Sequence, residues 1–203
     1  MKHCIVLLVL LLSAVEVKAA RLSSSQKKAI VKAHNDLRRT LATGGSEASD
    51  GTMPEAANMN ELVWDDDLEA EAQTWAQQCE FRHPDESDYG QNIASQAPAI
   101  SSSKAANKAM VSWWSEIAYY PAETAYEHIS GTGHFTQMAW ALTTRIGCAV
   151  QTCTEGGPAG FDDWSFTVCN YYPKGNMRRK DIYISGEPCS ECEAGCHNSL
   201  CAP

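Results

Sequence analysis

Positive charge is scarce: 16 Lys and Arg stand against 25 Asp and Glu, a net charge of −9 over 203 residues. A surface so biased repels nucleic acid and anionic membranes, so neither is expected as a partner. No Asn-x-Ser/Thr glycosylation acceptor is found, and no internal repeat. The chain also has no G-x-S-x-G elbow, no H-E-x-x-H pair and no P-loop, which leaves serine hydrolase, metalloprotease and nucleotide-binding chemistry without a motif. Beyond Leu12 no apolar run approaches the roughly 20 residues that a membrane-crossing helix needs.

What is present begins with Met1-Lys2-His3, the apolar run Cys4 to Leu12 and small residues for cleavage at Val17-Lys18-Ala19. That layout is a secretory signal peptide, too short in its apolar part to be an anchor. Cleavage after residue 19 takes two lysines and one glutamate from the 16 basic and 25 acidic residues, leaving 14 against 24 and a net charge of −10. A soluble product outside the cell is expected. Subtracting Cys4 from the 9 cysteines leaves an even set, which in an exported chain argues four disulfides and no free nucleophilic thiol. Cys79, Cys148, Cys153 and Cys169 lie among the folded elements, whereas Cys189, Cys192, Cys196 and Cys201 crowd the tail. The tail spacing would also suit zinc, but an oxidising compartment favours disulfides.

Hydrophobic spacing predicts the main elements. Ser23 and Gln26 form a capping-box pattern, and Ala29, Ile30, Ala33, Leu37 and Leu41 recur at helical spacing, giving a first helix over Ser25 to Leu41. Gly44 to Met59 has no period and reads as a loop of variable conformation. Asp65, Asp66 and Asp67 open a second helix that ends near Cys79, its acids favoured by the helix dipole. Ser101 to Ser103 cap a third, which runs through Met110, Val111, Trp114 and Ile117, carries Glu116 and stops before Pro121. Ile146 to Gln151 and Phe166 to Tyr172 read as a hairpin turning at Gly156-Gly157-Pro158. Helical segments followed by antiparallel strands suggest an α+β, three-layer α/β/α sandwich.

Four motifs then fall in order: His34-Asn35-Asp36-Leu37-Arg38, Gly90-Gln91-Asn92-Ile93, Gly133-His134-Phe135-Thr136-Gln137-Met138-Ala139-Trp140 and Phe166 through Asn176. With them the chain resembles the CAP superfamily, which includes cysteine-rich secretory proteins, venom allergens and plant pathogenesis-related proteins, from about Ser23 onward. The resemblance implies a CAP domain over residues 20–185 with a central, mainly antiparallel sheet, and a cysteine-rich hinge-like tail over 186–203. It implies the pairs Cys79 to Cys153, Cys148 to Cys169, Cys189 to Cys196 and Cys192 to Cys201. A further bridge of larger members is missing, and aromatic packing of Tyr89 with Tyr172 is expected in its place.

Of five histidines outside the leader, only His83 and His134 look like site residues. The resemblance implies one open cavity formed by His83, Gln91, Glu116 and His134, with the two imidazoles as ligands of Zn2+ or another divalent cation. Relatives usually present two glutamates there. Gln91 has no charge and cannot act as a base, so weaker cation binding and little hydrolysis are expected, with a hydrogen-bonded polar cavity as the plain alternative. His34 and Arg38 share a helix face and are expected to anchor loops, and Asn170, Tyr171, Gly175 and Asn176 to shape a strand end. The resemblance implies extracellular binding, with a sterol or fatty acid as ligand. Trp75, Phe81 and Tyr89 border the corresponding loop, and Met110, Val111 and Trp114 are candidates for a groove between helices, against ordinary core packing. An effector, venom or immunomodulatory protein acting on a target receptor is the alternative, and a metal-dependent protease the least favoured.

Overall fold

A computed structural model describes residues 21–124, 126 and 128–202. The expected signal peptide, residues 1–19, lies outside the described residues. Helix α1 spans Ser24–Ala42, with Ser23 and Gln26 closing the capping box as the sequence predicts. Helix α2 spans Asp66–Ala76, and the Asp65 carboxylate accepts the N–H groups of Asp67 and Leu68. Helix α3 spans Ser102–Ser115 and tightens into a 3-10 turn over Glu116–Tyr119, so Glu116 stands at the junction rather than within the helix.

The sheet is built from β1 (Val63–Trp64), β2 (Gly90–Gln96), β3 (Arg145–Cys153) and β4 (Trp164–Tyr172), with α4 (Gly133–Ala139) entering between β2 and β3 in the chain. Strand order is β1-β3-β4-β2; β1 runs parallel to β3 and the other pairings are antiparallel. Both faces are covered, which is why β4 is buried along nearly its whole length. Ile146, Cys148, Val150, Cys169 and Tyr171 meet α1 and α3 on one face, while Ala149, Phe166 and Val168 meet Ala72 and Ala76 of α2 on the other. The predicted three-layer arrangement is therefore present. Contact with α2 is close: a Cβ on Gly147 would stand 2.2 Å from the Glu69 backbone nitrogen, so β3 needs glycine there.

A further core, outside those layers, gathers Leu41, Met53, Ala56, Met59, Tyr120, Phe135, Trp140 and Tyr183. The stretch Gly44 to Met59 is thus irregular, as expected, but not a loose surface insertion, because Met53, Ala56 and Met59 fill this core. Arg38 is fully buried and holds the region through carbonyls, donating to Asn60, Met138, Trp140, Ala141 and Thr143 at 2.8 to 3.2 Å. It carries out the anchoring role that its helix position suggested. Burial lowers its pKa to about 9, still high enough to keep the guanidinium charged at neutral pH.

All four disulfides join the cysteines that the family resemblance implied. Cys79–Cys153 ties the segment after α2 to the end of β3, and Cys148–Cys169 links directly opposed residues of β3 and β4. In the tail, β5 (Cys196–His197) and β6 (Leu200–Cys201) form a short hairpin. Leu200 is buried, Cys201 exchanges backbone hydrogen bonds with Met59 and Glu61, and Asn198 accepts from Arg39, so the hairpin is seated on the domain. Tyr89 and Tyr172 do not pack together, contrary to expectation. Tyr172 projects from the sheet under the Arg145 guanidinium, 4.6 Å from its ring centroid, and that cation takes the face an aromatic partner would need.

Candidate functional site

The site grows from the first residues of β2, an edge strand whose start abuts α4: a Cβ on Gly90 would overlap the Gln137 side chain. Gln91 pairs across the ladder with Asn170 of β4. The Leu68 carbonyl can only accept, so Asn170 Nδ2 donates to it at 3.3 Å. Asn170 Oδ1 then accepts from Gln91 Nε2 at 3.1 Å, which turns Gln91 Oε1 toward His83 Nδ1 at 3.0 Å. One backbone carbonyl therefore sets the direction of the whole chain and assigns the proton of His83 to Nδ1. Its Nε2 is left without a protein partner among the described residues.

His134 reaches the same state by another route. Glu116 Oε1 takes His134 Nδ1 at 2.6 Å, while Oε2 accepts the backbone N–H groups of His134 and Phe135 at 2.9 and 3.1 Å. Thr132 offers α4 no side-chain cap, so Glu116 supplies one to the orphan donors of the first turn. Three donors occupy this carboxylate, an arrangement for orienting an imidazole rather than for removing a proton from water. Trp113 stacks on the ring at 5.9 Å between centroids and 21° between planes. His134 Nε2 also has no protein partner among the described residues.

The two pairs are joined through neighbouring residues of β2, because Asn92 Nδ2 donates to the His134 carbonyl at 3.1 Å. Adjacent strand residues point to opposite faces, so Gln91 looks to the α2 side and Asn92 to the side of α3 and α4. The pairs His83/Gln91 and His134/Glu116 thus meet the strand from either face. Among the described residues no three His, Cys, Asp or Glu side chains gather closely enough to hold a metal ion. His83 and His134 are thus two imidazoles that each keep an unpartnered nitrogen, and no closed three- or four-ligand centre is found among the described residues.

Behind Asn92 lies a buried extension that the sequence showed only in part. Ile30 O accepts from His34 Nδ1 at 2.9 Å, His34 Nε2 accepts from the Tyr171 hydroxyl at 3.0 Å, and Tyr171 is bonded in turn to Asn92. Burial holds the His34 imidazole down to about 4 and pushes the Tyr171 phenol up. The strand-end assignment of Asn170 and Tyr171 missed these links, which depend on the pairing register of β2 with β4.

Of the apolar candidates, Trp75 donates from its indole to the Arg82 carbonyl at 2.9 Å and lies under the Arg82 guanidinium. Phe81 packs on Trp164 and Phe166 but stays 41% exposed, and Tyr89 is half-buried. Met110 and Val111 do not line one groove as proposed: consecutive helical residues point in different directions, leaving Met110 in the core and Val111 70% exposed. Trp114 packs edge-on against Phe135. The groove between α1 and α3 is formed instead by Leu22, Gln26, Ala29, Ile30, Ser103 and Ala106, with a volume of about 190 Å³. A helix-by-helix reading could not find it, because it takes residues from the starts of two distant helices.

A sheet covered on both faces by helices, braced by disulfides and bearing two carbonyl- or carboxylate-oriented histidines at an edge strand, defines an α/β/α sandwich of the CAP type. The chain belongs to the cysteine-rich secretory protein (CAP) family, whose model matches residues 31–171. It is 37% identical over 177 residues to venom allergen 5 of Vespula vidua, covering 82% of this chain and 83% of that protein. It is 35% identical over 193 residues to the human cysteine-rich secretory protein LCCL domain-containing 2, covering 86% of this chain and 36% of that one. The crystal structure of NaASP2 with Zn2+ superposes with a TM-score of 0.79 at 33% identity, over 89% of this chain and 96% of that chain. BmVAL-1 gives 0.75 at 33% identity, over 91% and 97%.

Proposed function

We propose that this chain is a secreted, non-catalytic binding protein that holds a divalent cation reversibly between His83 and His134 and takes a sterol or fatty acid at a separate apolar surface. The observation that carries the cation reading is the matched state of the two rings: each donates Nδ1–H to a fixed acceptor and keeps an Nε2 without a protein partner among the described residues. That is the arrangement by which proteins orient imidazole ligands. When bound, the cation supplies positive charge at the β2 edge. The protein's part is to fix the rings, with Glu116 contributing the site's one carboxylate. NaASP2, a relative of the same fold, has been crystallised with Zn2+, which supports the choice of ion.

Hydrolysis is disfavoured because Gln91 has no basic oxygen and Glu116 is occupied by three N–H donors. For the apolar ligand, the α1–α3 groove and the partly exposed Phe81, packed on Trp164 and Phe166, are the available surfaces. The groove volume, about 190 Å³, is below the roughly 300 Å³ of small-molecule pockets, so it suits an acyl tail better than a sterol ring system. Retention of palmitate by the purified protein, and its loss in Ala29→Trp, tests this; retention unaffected by that change would move the ligand elsewhere, and no retention of palmitate or cholesterol would end the lipid reading. The second reading, an effector acting on a target receptor, rests on the 37% identity to a venom allergen. Specific cross-linking to a cell-surface protein would support it. Secretion is supported by the leader-like start of the sequence and by the disulfide set. No helix among the described residues is long and apolar enough to cross a membrane.

A further inference from the structure

A broad concavity lies away from the histidines, between the outward face of α1 and the β1 edge of the sheet, with a volume of about 1190 Å³. This exceeds the roughly 300 to 1,000 Å³ of small-molecule sites. Its floor is Val31, Leu62, Val63 and Trp64, and the tail hairpin closes one end with Asn198 and Ser199. β1 is the outermost strand and has β3 as its one neighbour. Val63 N–H donates to Thr144 and Asp65 N–H to Ile146, so these residues turn their peptide groups to β3 and the N–H and C=O of Trp64 point the other way, into the groove. No partner for them is found among the described residues. Two residues earlier, the Asn35 side chain already acts as a strand would: it accepts from Leu62 N–H at 2.8 Å and donates to Leu62 O at 2.9 Å. The next rung, at Trp64, is open.

Charge selects the occupant. Lys27 pairs with Asp66 and Glu69, and Lys32 and Arg39 with Asp36, which leaves Lys28 as an exposed groove cation in none of these pairs. In a chain of net charge −9, a free ammonium beside an open strand edge is a local exception.

We propose that this groove takes an extended peptide segment bearing an acidic side chain, which adds a strand to β1 at Trp64, sets apolar side chains on Val31 and Val63 and places its carboxylate at Lys28. Main-chain hydrogen bonds then give affinity, and the lysine with the apolar floor gives selectivity.

The test is panning of the disulfide-intact chain against phage-displayed random peptides of about six residues, the common strand length. Enriched peptides should alternate acidic and β-branched or aromatic residues. Binding should weaken by at least about fivefold in Lys28→Glu, a change at an exposed side chain outside the core, and disappear when the central peptide amide is N-methylated. Absence of enrichment, or enriched peptides indifferent to both changes, would overturn the proposal. So would palmitate binding that is lost in Trp64→Ala, in place of any peptide, since that would assign the groove to lipid.

Discussion

At Gln91 an amide does what a carboxylate cannot do in this setting. It accepts from His83 and at the same time donates to Asn170, whose own amide is directed by the Leu68 carbonyl. Gln91→Glu would set two acceptors face to face, and turning Asn170 over would only move the conflict to Leu68. The substitution is expected to lower stability by about 1 to 3 kcal/mol, the penalty for a buried group left without a partner, while raising zinc affinity through its added charge. Denaturant midpoints and calorimetric titration read the two effects separately. Buried His34 gives a second prediction. Its folded pKa is lowered from 6.5 to about 4 by burial, so between those values the unfolded chain binds the proton and the folded chain does not. Stability from this group is complete above pH 6.5 and falls as pH drops toward 4. Urea midpoints should show that slope, and His34→Gln should flatten it. The loop-anchoring role of Arg38 was legible from its place on the buried helix face, whereas His34, expected to share it, bonds Ile30 of its own helix and Tyr171 of β4 instead. The relay from Leu68 to His83 was not legible, since it exists only once β2 is registered on β4.

Among the elements, α4 depends most on a residue outside itself. It has seven residues and no cap of its own, and Glu116 accepts its first N–H groups from across the chain. Glu116→Gln keeps the shape but leaves one acceptor oxygen for the three donors, and its amide would face His134 Nδ1 unless the side chain turns that oxygen away from the backbone N–H groups, so α4 should fray at its start with a loss of about 1 to 2 kcal/mol. Hydrogen exchange at the amides of His134 and Phe135 should quicken first; unchanged protection there would show that the cap is dispensable. Length decided which elements the sequence disclosed. α1, β3 and β4 are long enough for their periods to be read, and their ends fell within a few residues of expectation. α4 spans too few turns to express a period, β1 has two residues, and Gly-Gln-Asn-Ile-Ala-Ser-Gln in β2 holds a single β-branched apolar side chain. The cation candidates lie on or beside these illegible elements, and for that reason their partners had to come from family resemblance.

At the scale of the whole molecule, the three apolar clusters and four disulfides of the described residues hold long irregular connections in place. Cys79–Cys153 closes a separation of 74 residues that includes both β2 and α4, the elements of the site. Replacing both cysteines with alanine is expected to cost about 4 kcal/mol on loop-closure grounds, with loss of the site's order before that of the sheet. Zinc titration by calorimetry, on the chain as it stands and on His83→Ala, His134→Ala and the double substitution, measures the central claim most directly. If the two imidazoles form one site, a single weak site is found, each single substitution reduces its affinity by about tenfold or more, and the double substitution adds little beyond either. Affinity unchanged by either substitution, or losses that simply add as for two independent sites, would contradict the account.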